Sequence, residues 1–125
     1  MRKPTIKQLK KIADTLFSKY IRARDHNTCV LCGSTERPQC GHLLSRSASA
    51  TRWDETQCFC QCSSCNFKHE FNAYPFIKWF IEKYGKEKLD EIQSRWNKPF
   101  QMHRGDYEIL ILSIEEKLKC LNLAS

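Results

Sequence analysis

Apolar and polar positions follow a helical period over most of this chain. From residue 5 to residue 24, Ile6, Leu9, Ala13, Leu16 and Tyr20 recur three or four positions apart. The positions between them carry Lys7, Lys10, Lys11, Lys19, Arg22 and Arg24, so the spacing predicts an amphipathic helix with a basic outer face. Thr5-Ile-Lys-Gln8 at its start fits a capping box, and Asp25-His26-Asn27 ends it. Further on, residues 73–84 place Phe76, Ile77, Phe80, Ile81 and Tyr84 on one face ahead of Gly85, a helix stop. Residues 86–97 predict another helix, halted by Pro99. A last one runs from a cap at Asp106 to about Asn122, with Leu110, Ile114, Leu118 and Leu121 in phase. The run Ile109-Leu-Ile-Leu112 also fits a strand, but the Glu-Glu-Lys-Leu-Lys that follows favours helix.

Between these helices the period changes. Residues 29 to about 44 predict a β-hairpin turning near Gly33-Ser-Thr-Glu36, with its second strand approaching His42. Residues 45–56 are small, polar and aperiodic, and predict a loop. A short strand over 57–61 follows, then a helix from Cys62 to about Phe71. The fold class expected is α+β and mainly helical. A single domain, 1–125, is divided into an N-terminal basic helix (1–28), a ββα core (29–74) and C-terminal helices (75–125).

The central segment holds most of the cysteines. Cys29-Val-Leu-Cys32 and Cys62-Ser-Ser-Cys65 are two Cys-x-x-Cys knuckles, the spacing of one tetrahedral site of four thiolates, and zinc is the metal such a soft cage selects. Zinc would then staple the hairpin to the helix that follows it. Cys58 and Cys60 offer an alternative ligand set, but they lack the tight two-residue turn of a knuckle. Cys40 and Cys120 read as buried small hydrophobes.

Composition narrows the function. With 125 residues, 41% hydrophobic and 28% charged, the chain reads as one soluble globular domain. No apolar run approaches the ~20 residues a membrane span needs, so no membrane partner is expected. Eight cysteines without a secretory signal suggest metal in a reducing cytoplasm rather than disulfides. The net charge of +7 is concentrated in residues 1–60, which carry 11 Lys/Arg against 5 Asp/Glu, and a polyanion such as DNA fits that asymmetry.

A zinc bound by four thiolates has no open position and cannot activate water, so any catalysis needs a second site. His42 ends the predicted second strand, and Asn66 directly follows the last knuckle cysteine. With both elements tied by zinc, a neutral His42 can take a proton from water and the Asn66 oxygen can hold a hard cation such as Mg²⁺. A structural histidine is the other reading of His42. Arg46 and Arg52 lie in the loop beside the expected cleft and suit phosphate oxygens, with Lys10, Lys11, Arg22 and Arg24 as further DNA contacts. Trp53 either stacks on a base or seals the core, with the core favoured.

The order Cys-x-x-Cys, Gly-His, Cys-x-x-Cys-Asn resembles the HNH nucleases of the ββα-metal superfamily. More closely, Cys40-Gly-His-Leu-Leu-Ser-Arg46, Ala50-Thr-Arg-Trp-Asp-Glu55, Cys60-Gln-Cys-Ser-Ser-Cys-Asn66, Asn72 and Glu82-Lys-Tyr-Gly85 resemble the phage NinG/Rap recombination endonucleases over roughly residues 25–90. The resemblance implies a zinc-stapled HNH core in an endonuclease acting on branched DNA such as Holliday junctions and D-loops, in the host cytoplasm. It makes His42 the general base and Asn66 a ligand of a catalytic Mg²⁺ or Mn²⁺, with His69 or Glu70 as a further ligand. Two positions depart from the HNH pattern. Gln57 stands where the central asparagine is expected, a catalytic-site position whose carboxamide can still orient the His42 ring, and Gly41 stands where many members carry a metal ligand. A non-catalytic zinc-ribbon DNA-binding or adaptor protein is the alternative, and an interaction module built on the C-terminal helices a third. Paired cuts in a junction also suggest a homodimer, its interface sought at Phe76, Phe80 and the Ile109–Leu112 run.

Overall fold

A computed structural model describes residues 2–124. The first helix, α1 (Ile6–Arg24), starts on the expected capping box: the Gln8 N–H donates to Thr5 Oγ1 at 3.1 Å and the Thr5 N–H to Gln8 Oε1 at 2.7 Å. Its buried stripe is Leu9, Ala13, Phe17 and Ile21, a strict four-residue repeat. Leu16 and Tyr20 are only partly covered beside that stripe and Ile6 is exposed, so the buried line runs one position over from the one expected. After Asp25, left-handed His26 and Asn27 reverse the chain towards Cys29. Asp25 then anchors the reversal to the sheet, accepting the Cys60 N–H at 2.8 Å and pairing with Arg24 at 2.9 Å.

The predicted 29–44 hairpin is not formed. Residues 29–34 are a knuckle turn in which the Gly33 N–H donates to the Cys29 carbonyl and the Cys29 N–H to the Ser34 carbonyl. Gly33 has φ +77°, which a side chain would strain. A backbone wound this tightly around its own thiols cannot also pair as a strand. The ladder instead joins β1 (Pro38–His42) to β2 (Cys58–Cys62), antiparallel, with Pro38 opposite Cys62, Cys40 opposite Cys60 and His42 opposite Cys58. The intervening loop contains one helical turn, α2 (Ser49–Arg52), where only loop was expected. β2 leads directly into α3 (Ser63–Phe71), so a two-strands-then-helix order is present.

Both faces of β2 are buried. A two-stranded ladder is marginal alone and needs helices on it. Phe59 points into an aromatic core with Phe76, Trp79 and Phe80 of α4 (Tyr74–Tyr84), to which Leu43 and, from α5 (Lys86–Trp96), Leu89 and Ile92 contribute. Cys58 points the other way, into a second core of Phe17, Ile21 and Ile114, the last from α6 (Arg104–Ala124). Phe76 and Phe80 are thus core, not interface; of the proposed dimer residues, Ile109 and Leu112 remain exposed. α6 begins two residues before the expected cap. Asp106 lies inside its first turn and reaches back to accept the His103 N–H at 2.8 Å. Cys120, expected buried, is exposed on α6. Asn72 supports the next helix, its side-chain oxygen accepting the Tyr74 N–H. Among the described residues, no helix is long and apolar enough to cross a membrane.

Candidate functional site

Two sites occupy opposite ends of the β1–β2 ladder. At the Pro38–Cys62 end, the sulfurs of Cys29, Cys32, Cys62 and Cys65 all lie within 4.8 Å of one another. The Cys32–Cys62 separation is 3.6 Å, close to the roughly 3.8 Å edge of a tetrahedron with 2.3 Å metal–sulfur bonds. Backbone geometry prepares the thiols. The Cys65 N–H points at Cys62 Sγ, at 3.4 Å. Burial pushes the Cys29 thiol up, but N–H groups of Cys62, Cys32 and Leu31 outweigh it and bring the pKa down to about 7. Four convergent sulfurs, three of them with main-chain donors, can hold a metal such as zinc. Cys58 and Cys60 are not part of this set.

The other end opens into a cleft of about 650 Å³ that brings together His42, Arg46, Asn66, His69 and Glu70. His42 Nε2 lies 2.8 Å from the Arg52 carbonyl, an acceptor only, so Nε2 carries the proton and Nδ1 keeps its lone pair. His69 has the same arrangement: Nε2 donates to the Leu43 carbonyl at 3.0 Å, and buried Nδ1 has no hydrogen-bond partner. Burial, with the nearby Arg46 and Arg52 charges, holds the His42 pKa below its usual 6.5. The ring is therefore neutral at pH 7, with a basic nitrogen to offer. Asn66 donates from Nδ2 to Gln39 Oε1 at 2.8 Å, so its oxygen is the atom that could hold a cation.

Gln57 does not hydrogen-bond to His42, so it does not orient the ring directly. Fully buried, its amide donates to the Thr51 carbonyl at 2.7 Å and accepts the Leu44 N–H at 2.8 Å. It thereby closes the 43–57 loop and holds the residue next to Arg52, whose carbonyl orients His42. Gly41 is needed for a different reason, because a Cβ there would overlap the Gln61 amide.

The basic residues divide into two groups. Arg24 donates to the carbonyls of Glu55 and Cys58 at 2.7 and 2.6 Å as well as to Asp25, so it works as a strut between α1 and β2. Arg52 is likewise occupied, bound through Nε to Asp14 at 3.0 Å with its side chain 11% exposed. Arg22 is partly turned back onto the Ser18 carbonyl. Arg46 makes a single 3.1 Å contact with Asp14 and is 60% exposed, which leaves most of its guanidinium available at the cleft rim. Lys10 and Lys11 lie on α1, outside the cleft lining. Trp53 sits on the core side, donating to Asp14 and packed edge-on against Tyr107.

Asp14 is the residue that sequence reasoning missed. It binds Arg46, Arg52 and Trp53 together and so anchors the whole loop to α1. As the one acidic residue in an otherwise basic helix, it carried a legible signal.

The description "Bacteriophage Lambda NinG protein" belongs to a family model that matches residues 1–123. Similar chains include "Protein ninG" of Escherichia phage 933W, 33% identical over 118 residues, covering 89% of this chain and 57% of the relative. "Protein ninG" of Escherichia phage lambda is 32% identical over 118 residues, covering 89% and 56%. That of Salmonella phage P22 is 33% identical over 88 residues, covering 67% and 43%. The chain thus spans little more than half the length of the first two. No solved structure matches it. On the strength of the family model and these relatives, this chain belongs to the phage lambda NinG family.

Proposed function

We propose that the protein is a metal-dependent, structure-selective DNA endonuclease of HNH type, acting on branched recombination intermediates such as Holliday junctions and D-loops. The observation that carries this reading is the state of His42: neutral, with its Nε2 proton committed to the Arg52 carbonyl and its Nδ1 lone pair unspent, in a cleft shared with Asn66 and His69. A general base needs that protonation state and that fixed orientation. His42 takes the proton as water attacks phosphorus in line. The 3′ oxygen leaves and is protonated from solvent, giving 5′-phosphate and 3′-hydroxyl ends.

Asn66 Oδ1 and the orphaned Nδ1 of His69 fit as donors to a divalent cation, Mg²⁺ or Mn²⁺. Such an ion supplies charge neutralisation at the scissile phosphate and the departing oxygen. Arg46 at the rim positions the DNA backbone. The four-cysteine cluster would hold a structural zinc, and Gln57 acts on His42 only through the loop. A symmetric dimer would coordinate two cuts, and exposed Ile109 and Leu112 offer it an apolar face.

Gly41 favours a second reading. With the Gln61 amide filling the space over it, that strand position offers no ligand, as befits a zinc-ribbon protein that binds DNA without cutting it. Incubating the protein with a four-way junction and with linear duplex, in Mg²⁺, Mn²⁺ or EDTA, separates the two. The nuclease reading expects metal-dependent junction cleavage that His42→Ala abolishes. Equal cleavage by His42→Ala sinks the mechanism, and junction binding without cleavage establishes the second reading.

A further inference from the structure

The ladder carries a second group of metal-capable side chains, separate from the four-cysteine cluster. Cys40 and His42 are two residues apart on β1 and therefore share a face, and Cys58 stands opposite His42 across the ladder. The two sulfurs and a ring nitrogen of His42 lie within 4.8 Å of one another. Cys40 and His42 both line the open cleft, so an ion can reach the trio from solvent. Cys58 completes it from below, fully buried, its thiol meeting the Cys40 side chain and lying 3.9 Å from the Arg52 carbonyl.

We infer that Cys40, His42 and Cys58 form a second metal site, selective for a thiophilic divalent cation such as Zn²⁺, and that filling it withdraws His42 from service as a base. Two thiolates and an imidazole make a three-ligand zinc site with one position open. The thiolate charges cancel those of the ion, so a neutral unit is buried against Phe17 and Ile21, which neither a free cation nor a lone thiolate could match. Hard Mg²⁺ and Mn²⁺ disfavour sulfur, so the trio does not compete for the ion of the cutting reaction. On binding, the Cys40 and Cys58 thiols each release one proton to solvent and no electron moves. The imidazole cannot hold the ion and accept a proton from water through the same lone pair. The inhibitory half of this inference rests on the proposed nuclease activity; the site itself does not.

Cobalt titration followed by charge-transfer absorption reads the site directly. The wild type is expected to take two equivalents of Co²⁺ with thiolate-to-metal bands, and Cys40→Ala/Cys58→Val one, with its helical circular dichroism retained. One equivalent in the wild type, or two in the double variant, overturns the site. Junction cleavage in Mg²⁺ is then measured with one and two equivalents of Zn²⁺. The second equivalent should slow the wild type at least ~10-fold and leave the double variant unchanged. Unchanged wild-type cleavage overturns the inhibitory half. If neither protein cleaves under any condition, the nuclease reading falls and takes the inhibitory half with it, while the cobalt stoichiometry still decides the site.

Discussion

The two ends of one short ladder are organised by opposite means. Where Pro38 faces Cys62, four side-chain sulfurs converge and main-chain N–H groups point at them. Where His42 faces Cys58, roughly 13 Å along the strand, the polarity is reversed: side chains donate to main-chain carbonyls of Arg52, Leu43 and Thr51. With a metal bound, the first end would be closed by its own chemistry and would need little from the surrounding protein. The second has no such closure, so it borrows rigidity from elements on either side. Asp14 of α1 holds Arg46, Arg52 and Trp53, while Arg95 and Trp96 of α5 grip Asp54 and the Ser45 carbonyl. The lesson is that a knuckle built to hold a metal can be local, whereas an oriented histidine has to be a tertiary feature.

Breaking the cysteine end should have the largest effect. Binding energy at a closed thiolate site appears as folding energy, so Cys65→Ala or chelation should cost several kcal/mol and collapse the cooperative melt. His42→Ala should stay within about 1 kcal/mol of wild type in the same calorimetric scan, because only a half-buried ring and one hydrogen bond are lost. A Cys65→Ala protein that melts like wild type would remove the distinction between the two ends.

Gln57→Ala should fall next, at about 2–4 kcal/mol, because it leaves a cavity and strips partners from the half-buried Leu44 N–H and the buried Thr51 carbonyl. If Gln57 acts through the loop, the variant also changes the environment of His42, read as a shift of its imidazole resonances. A stability loss with unmoved His42 resonances would make Gln57 a core residue and nothing more.

The pH dependence sharpens the second end further. Burial lowers the His42 pKa, so the neutral, competent form persists through neutrality. Cleavage should be flat near pH 7 and decline only as pH falls through a value below the usual 6.5. The same shift contributes stability that is present above the unfolded value and lost as pH drops through the folded one. An acid limb centred above 6.5, or one unchanged in a residually active His42 variant, would contradict this.

How much of this was legible in the sequence follows from the same contrast. The cluster of the first end shows in the spacing of Cys29, Cys32, Cys62 and Cys65 alone, because a knuckle is a local turn. The helices were legible too, since Thr5 with Gln8 and the stops at Gly85 and Pro99 are local signals. The pairing of β1 with β2 was not. Residues 29–34 open with the apolar run Cys29-Val-Leu-Cys32, which fits a strand, and only the winding of their backbone around the sulfurs excludes one. Nor could spacing distinguish Arg24 and Arg52, bound to Asp25 and Asp14, from Arg46. Beyond the adjacent Asp25, Arg24 is held by main-chain carbonyls, which have no residue type to read, and the acid that holds Arg52 is distant in sequence. The trio of Cys40, His42 and Cys58 stayed hidden for a related reason, as it depends on the register of a ladder the sequence paired differently.

The smallest effect separates the arginines, and it tests whether the second end meets phosphate at all. Arg46 is 60% exposed and holds Asp14 by one contact, whereas Arg52 is 11% exposed and held by several. Removing Arg46 should therefore leave the melting temperature nearly unchanged and weaken junction binding by about 1 kcal/mol, with one fewer counterion released, so that the slope of log affinity against log salt falls by about 1. Arg52→Ala should do the reverse. It strips a buried partner from Asp14 and frees the α2 turn, so stability drops by about 1–3 kcal/mol while the salt slope is kept. Salt titrations of both variants on one four-way junction decide the matter. Should Arg52→Ala reduce the salt slope and Arg46→Ala leave it intact, the rim assignment is inverted, and Asp14 becomes a counter-charge that DNA displaces rather than an anchor for the loop.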